Sequence, residues 1–397
     1  TINMKAQTRL YDSVYQYLAK GSEFVDKRHL STLSWMVSAL LSSLRLNLNG
    51  WEPYVVSRAQ QSQSYQRRWS RFLGNARVAT ETLYVPLVRA AIGSWQPRQV
   101  YVAIDSTVLW NRYCLVFLAV ICCGRAVPLM WVGLEQASAS VAFEHYQPLL
   151  ERAVTALAGF KRVVLLADRG FANQEMVRWL EKSPWHWRIR VPSDTRIYIN
   201  SKGGFGFEVR QLRPQKGHVK LYHQAQVWAE ARFQCNLALA SMRGAKDSWA
   251  IITDEPPTLD TFWEYGFRFC VEELFLDSKS GVFDWEGSRV RNVPSLERLY
   301  LVVAVAVLFA TLQGMAVQRA GLRRHVDSHR RRGLSYLKVG LRWLAGVIHK
   351  GRKLLPLDEL FYRDPEPCFA SAKAQAKDLM RFPISRVQHF DCYPQTP

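Results

Sequence analysis

The stretch Arg162-Val163-Val164-Leu165-Leu166-Ala167-Asp168 constrains the fold more than any other in this chain. Five consecutive apolar residues cannot alternate between core and water, so a strand built from them needs cover on both faces. A sheet flanked by helices provides that cover. A second apolar run, Val100-Tyr101-Val102-Ala103-Ile104-Asp105, also ends in an acid. Between the two lie Leu115–Ile121 and Ala126–Val132, strand-like runs separated by the hairpin-like turn Cys122-Cys123-Gly124-Arg125. The first three strands are expected to form an antiparallel meander. Helices near Phe143–Leu157 and Asn173–Glu181 and a strand at Trp187–Val191 would complete a β-β-β-α-β-α-β order.

The flanks read differently. Up to about residue 97, apolar residues recur at three- and four-residue spacing in segments near 4–20, 30–48 and 80–94, which predicts helices. Thirteen basic and five acidic residues fall before position 100. The short segment Gln63–Leu73 interleaves Arg67, Arg68 and Arg71 with Tyr65, Trp69 and Phe72. A small helical DNA-binding domain fits this pattern; an ordinary solvated helix face is the alternative. Residues 192–248 are turn-rich with short alternating segments and read as an inserted β-subdomain. Trp249–Thr253 reads as a return strand, Thr258–Lys279 as a helix, and the chain from about Pro294 as mostly helical. The expected plan is a helical domain over 1–97, a core over 98–191 and 249–292, the insertion over 192–248, and a basic helical region over 293–397 for DNA binding, dimerisation or both.

Composition narrows the function. Of 397 residues, 48% are hydrophobic and 22% charged, which excludes intrinsic disorder. The net charge of +20 argues for a polyanionic partner, nucleic acid before an anionic membrane. Seven cysteines, an odd number with no C-x-x-C pair, argue against a zinc site or a disulfide framework and fit a reducing cytosol. The beginning of the chain carries no signal-peptide pattern. Leu299–Gln318 has twenty residues without a charge, enough to span a bilayer. It contains Gln313 and Gln318 and follows a charged helical start, Ser295-Leu296-Glu297-Arg298, so a buried core helix is expected and no membrane partner.

Asp105 and Asp168 end two apolar strands that the predicted order places side by side. An acid there costs desolvation energy unless it is paired, hydrogen-bonded or metal-bound; the alternative for either alone is a turn former. In the helix Thr258–Lys279, Tyr265, Arg268, Glu272 and Lys279 stand at offsets 0, 3, 7 and 14, which fall on one helix face. An i,i+4 salt bridge between Arg268 and Glu272 is the plainer reading of that face. Glu273 projects to another side. Three carboxylates make a hard, all-oxygen site suited to Mg²⁺ or Mn²⁺. Two such ions, with Asp105 bridging and Asp168 and Glu272 on one ion each, suit phosphodiester cleavage. Arg268 and Lys279 would hold flanking phosphates.

The string Tyr265-x2-Arg268-x3-Glu272-x6-Lys279 resembles the Y-(2)-R-(3)-E-(6)-K signature of bacterial insertion-sequence DDE transposases. Ala103-Ile104-Asp105-Ser106-Thr107 and Leu166-Ala167-Asp168-Arg169-Gly170-Phe171 are similar to the same group. The resemblance implies an α/β fold with an RNase H-like mixed β-sheet core, an inserted β-rich subdomain and helical flanks. It implies that Asp105, Asp168 and Glu272 are a catalytic, metal-binding triad. It also implies that Trp249, opening the strand after the insertion, stacks on a flipped base in a hairpin intermediate; a core tryptophan is the other reading. The expected activity is cut-and-paste transposition: binding of terminal inverted repeats by a homodimer, metal-dependent cleavage, and joining of 3′ ends to target DNA in the bacterial nucleoid. An RNase H-like nuclease without strand transfer and a non-catalytic DNA-binding protein are the alternatives. The basic run Arg319–Lys353 would bind DNA or support dimerisation, and arginines around His325 and His329 disfavour a metal site there.

Overall fold

The computed structural model describes residues 4–57, 59, 61–199, 205–242, 247–276, 283–368 and 384–392. The N-terminal region forms α1 (Met4–Gly21), α2 (Lys27–Ser43), α3 (Ser62–Leu73) and α4 (Thr80–Ala91). Next come β1 (Gln99–Leu109), β2 (Tyr113–Cys122), β3 (Arg125–Leu134), α5 (Phe143–Ala156), β4 (Arg162–Ala167), α6 (Gln174–Lys182) and β5 (His186–Arg190). This is the β-β-β-α-β-α-β order expected of an RNase H-like α/β core. Then come β6 (Arg196–Tyr198), β7 (Phe207–Glu208), the single turn α7 (Val209–Leu212), β8 (His218–Val227) and β9 (Phe233–Ser241). After them come β10 (Trp249–Thr253), α8 (Leu259–Gly266), α9 (Cys270–Leu276), α10 (Val293–Arg319), α11 (Tyr336–Lys350) and β11 (Arg386–Asp391).

Two compact units divide the chain. One takes Thr1–Gln96, Thr107–Ser138 and Cys270–Ala372; the other takes Pro97–Ser106, Ala139–Phe269 and Lys373–Pro397.

In the first unit, two tight turns order the strands. Trp110 and Asn111 both have φ near +50° between β1 and β2, as do Cys123 and Gly124, at +50° and +74°, between β2 and β3. Two successive positive φ values are the conformation whose twist matches a hairpin. β2 and β3 pair antiparallel, Phe117 opposite Trp131. Helix α10 packs on β3, α2, α4 and α11. It starts at Asn292, whose side chain accepts from the Ser295 N–H, and Pro294 occupies its first turn. By length and apolar composition it could cross a membrane, but its apolar window is wholly buried in protein. Burial on every side explains why the segment carries no charge. Tyr300 on α10 is the centre of an aromatic cluster. Its ring lies 4.6 Å from Phe117, 4.8 Å from Trp131 and 4.8 Å from Trp285, the last nearly parallel.

The second unit is built on a mixed sheet of order β1-β4-β5-β10-β9-β8-β6-β7, with β11 on β8. β1, β4 and β5 run parallel, with Val102 opposite Leu165 and Leu165 opposite Trp187. β10 is antiparallel to both β5 and β9, so β6 to β9 continue the same sheet. β4 is buried from Val163 to Ala167, as its unbroken apolar run demands.

Three expectations need correction. β1 does not end at Asp105 but continues to Leu109; only its pairing with β4 stops, at Ile104 opposite Ala167. The helix expected over Thr258–Lys279 is interrupted by a 3₁₀ turn at Phe267–Phe269. Phe267 packs on Tyr101 and Trp263, whereas Phe269 packs on Trp249 and Tyr265. A tighter turn accommodates both, and it breaks the uniform helical spacing assumed past Gly266. The C-terminal region is not helical throughout: residues 351–368 are irregular and β11 is a strand.

The α10–α11 crossing is set by two glycines. A Cβ on Gly314 would lie 1.9 Å from the Tyr336 carbonyl oxygen, and one on Gly340 would lie 1.7 Å from that of Ala310. Backbone cannot yield as a flexible side chain can. Gly340→Ala is expected to lose at least the ~1–3 kcal/mol typical of overpacking, read as a lower urea midpoint. An unchanged midpoint would contradict the close crossing.

Candidate active site

The parallel register of β1 and β4 places the site. Ile104 faces Ala167, so Asp105 and Asp168 follow at the same level on neighbouring strands. Carboxylates that follow neighbouring strands repel when both are ionised. Arg268, in the 3₁₀ turn after α8, answers the repulsion. Its Nη1 lies 3.2 Å from Asp105 Oδ2, and the guanidinium is 7% exposed. It also lies over the Phe269 ring at 4.6 Å. Asp105 Oδ1 accepts from the Ser106 N–H at 2.8 Å. Asp168 Oδ1 accepts from the Gly170 N–H at 2.9 Å and caps the short turn Arg169–Phe171. The turn-forming reading of Asp168 therefore holds alongside its place beside Asp105.

Tyr265, on the last turn of α8, is fully buried. Burial pushes its hydroxyl pKa up, Arg268 and Arg190 pull it down, and Asp168 pushes it up again. The phenol therefore shares one electrostatic environment with Asp168 and Arg268. Trp249, at the start of β10, is 8% exposed and packs edge-on against Tyr265 at 5.3 Å and on Phe269 at 5.7 Å. In that position it supports the Tyr265 turn.

The other candidates lie in the first unit or outside the described residues. Glu272 is the third residue of α9 and is exposed; Glu273 is half-buried and pairs with Arg125 on β3 at 3.4 Å. Lys279 falls outside the described residues. On α3, Tyr65, Trp69 and Phe72 are buried, and Arg67 and Arg71 stand exposed on the opposite face. Arg68 is partly buried over the Trp35 ring at 4.5 Å.

A second set of charges, not anticipated from sequence, fastens α8 to the sheet. Glu264 accepts from Arg188 Nε at 2.8 Å, from the Tyr101 hydroxyl at 2.9 Å and from Gln99 at 3.3 Å. Arg188, 5% exposed, also reaches Glu255 at 2.5 Å and Thr253 Oγ1 at 2.8 Å, and Arg162 pairs with Glu255 at 2.5 Å. Burial would raise the Glu255 pKa, but hydrogen bonds and charge from Arg162 and Arg188 bring it down to about 2. Sequence offered one weak signal, arginines at alternate positions on an otherwise buried strand, Arg188 and Arg190.

By ligand chemistry, a His–Asp–Glu cluster and the Asp105–Asp168 pair are candidates for a cation. His186, Asp254 and Glu255 bring ligand atoms within 4.8 Å of one another. Arg162 and Arg188 already occupy those oxygens, and the cluster lies at the opposite end of the parallel strands from Asp168. The Asp105–Asp168 pair fits a divalent cation better: both are partly exposed, both offer oxygen, and they stand on neighbouring strands.

Residues 113–308 match the family model described as the transposase DDE domain. The match contains Asp168 and Glu272 and begins eight residues after Asp105. Among solved structures, the cryo-EM piggyBac transposase synaptic complex with hairpin DNA is similar at 8% identity with a TM-score of 0.42. That similarity covers 87% of this chain and 78% of that one. No curated protein matches the sequence.

Glu255 makes stability depend on acid. Its folded pKa of about 2 lies below the unfolded value of 4.5, so its contribution is complete above pH 4.5 and is lost as pH falls from there towards 2. Glu255→Gln should flatten unfolding free energy against pH in that window. Parallel curves for variant and wild type would refute the assignment.

Proposed function

We propose that this chain is a cut-and-paste DNA transposase whose catalytic triad is Asp105, Asp168 and Glu272. The supporting observation is the β1–β4 register, whose last pair immediately precedes Asp105 and Asp168, together with the buried Arg268 on Asp105. The transposase DDE domain match over residues 113–308 supports the same reading. Glu272 is the third carboxylate in preference to Glu273, because it is the acid at the spacing of the Tyr265-x2-Arg268-x3-Glu272-x6-Lys279 string and is the more exposed of the two.

Asp105, Asp168 and Glu272 would hold Mg²⁺ or Mn²⁺, two ions per site. When bound, such ions supply an activated water or 3′ hydroxyl and stabilise the leaving 3′ oxygen. Arg268 fixes the orientation of Asp105 and lowers the cost of gathering acids in one place. Tyr265 and Trp249 hold the turn that carries Arg268. Lys279 and Arg268 would meet flanking phosphates, and Arg67 and Arg71, with Arg68 behind them, would contact DNA from α3. The assigned plan keeps residues 1–97 for DNA recognition, 98–191 and 249–292 for chemistry, 192–248 as the insertion, and 293–397 for DNA binding or dimerisation. The partners are terminal inverted repeats and target DNA, brought together by a homodimer in the bacterial nucleoid. A hairpin route would require Trp249 to present a face to a displaced base, where stacking contributes ~1–3 kcal/mol.

The test is a cleavage and joining assay with Mg²⁺ on labelled DNA carrying candidate ends. Asp105→Ala, Asp168→Ala and Glu272→Ala should each lose more activity than the 10–100-fold typical of removing an outer partner of a metal ligand. Cleavage without joined products would identify a nuclease. DNA binding with no metal-dependent product would overturn the enzymatic reading.

A further inference from the structure

The connection between α10 and α11 carries charges that the catalytic reading leaves unused. From Arg323 to Arg332 it contains five arginines, two histidines and one acid, Asp327. The acid is completely buried, and Arg323 and Arg332 are buried beside it. Arg323 pairs with Asp327 at 3.4 Å and Glu366 at 2.9 Å, and donates to the carbonyls of His329 and Arg330. Arg332 pairs with Asp364, donates to the carbonyls of Glu366 and Leu334, and lies over the Tyr336 ring at 4.1 Å. Asp327 accepts from the N–H groups of His329 and Gly333 and from the His329 ring. Arg342 and Arg352 donate to the carbonyls of Val326 and His325 from outside. Inner ion pairs and outer anchors thus fix the backbone of this loop.

The remaining side chains face water. Arg324, His325, Arg330 and Arg331 are exposed. Neither Arg324 nor Arg330 pairs with a carboxylate among the described residues. The nearby acids Asp327, Asp364 and Glu366 are spent on Arg323 and Arg332, so among the described residues no carboxylate neutralises Arg324 or Arg330. Gathering like charges is unfavourable, and a loop built to hold them rigidly suits a polyanion, because little side-chain and loop ordering remains to be done on binding.

We propose that this loop is a preformed site for the sugar–phosphate backbone of duplex DNA, with Arg324, Arg330 and Arg331 as its phosphate contacts. Guanidinium forks match phosphate oxygens, and the overall +20 charge favours nucleic acid over an acidic protein. The inference rests on the transposase reading for its ligand but not on the triad.

The test is fluorescence anisotropy of the full chain on a labelled mixed-sequence duplex, in EDTA, across a salt series. Each phosphate contact contributes about 0.9 to the slope of log K against log salt. The variant Arg324→Gln/Arg330→Gln/Arg331→Gln should lose about 2.7 from that slope at an unchanged melting temperature. The corresponding triple lysine variant should keep it. An unchanged slope in the glutamine variant, or an equal loss in the lysine variant, overturns the proposal; an acidic protein partner for the loop predicts the first of these. A slope loss in a chain that shows no metal-dependent cleavage would keep the loop and sink the transposase reading. Cleavage that depends on the triad with no slope loss would do the reverse.

Discussion

Everything proposed for the site depends on the parallel pairing of β1 and β4. With Ile104 opposite Ala167 in the last pair of the ladder, the next residue in each chain segment is an aspartate, Asp105 still on β1 and Asp168 just past the end of β4. Shifting the register by one residue would turn one side chain to the other face of the sheet. Repulsion between the pair must be met by a cation, and Arg268 meets it from a buried position on Asp105. The 3₁₀ turn that carries Arg268 is set by Phe267 and Phe269 packing to different sides. The aromatic contacts of Trp249 and Tyr265 therefore serve the placement of a charge.

That placement needs α8 to be fixed against the sheet, and the fixing is ionic. Glu264 on α8 is held by Arg188, and Arg188 is held in turn by Glu255 and Thr253. Removing one member would leave buried charge unpaired, which costs more than the intact pair contributes. The first unit relies instead on apolar burial around α10, with Tyr300 against Phe117, Trp131 and Trp285. The same long helix explains how a segment with membrane-like composition can serve as the core of a protein interior.

Much of the core was legible in the chain. The unbroken run before Asp168 announced a strand covered on both faces, and β4 is buried from Val163 to Ala167. Cys123-Gly124 announced a hairpin turn and adopts one. Asn173 and Thr258 were plausible starts for helices and do cap α6 and α8. The spacing of Tyr265 and Arg268 singled out two residues that the structure sets near the aspartates. Helical spacing failed past Phe267, because a wheel assumes a uniform 100° per residue and a 3₁₀ turn breaks that assumption. The strand β11 carried no readable signal: its exposed residues alternate weakly, and only pairing with β8 makes it a strand.

Local chemistry determined, from the sequence alone, which segments are strands and helices, which turns join β2 to β3, and which two acids follow apolar strands. Periodicity and turn residues act over a few positions, and a single chain displays them directly. The tertiary structure decided which strand lies beside which, that Arg268 faces Asp105, that Glu273 is engaged by Arg125, and that Arg188 bridges Glu264 and Glu255. Those pairings join residues separated by tens to more than a hundred and sixty positions. They depend on how strands stack and where burial leaves room for a guanidinium, which no local pattern encodes.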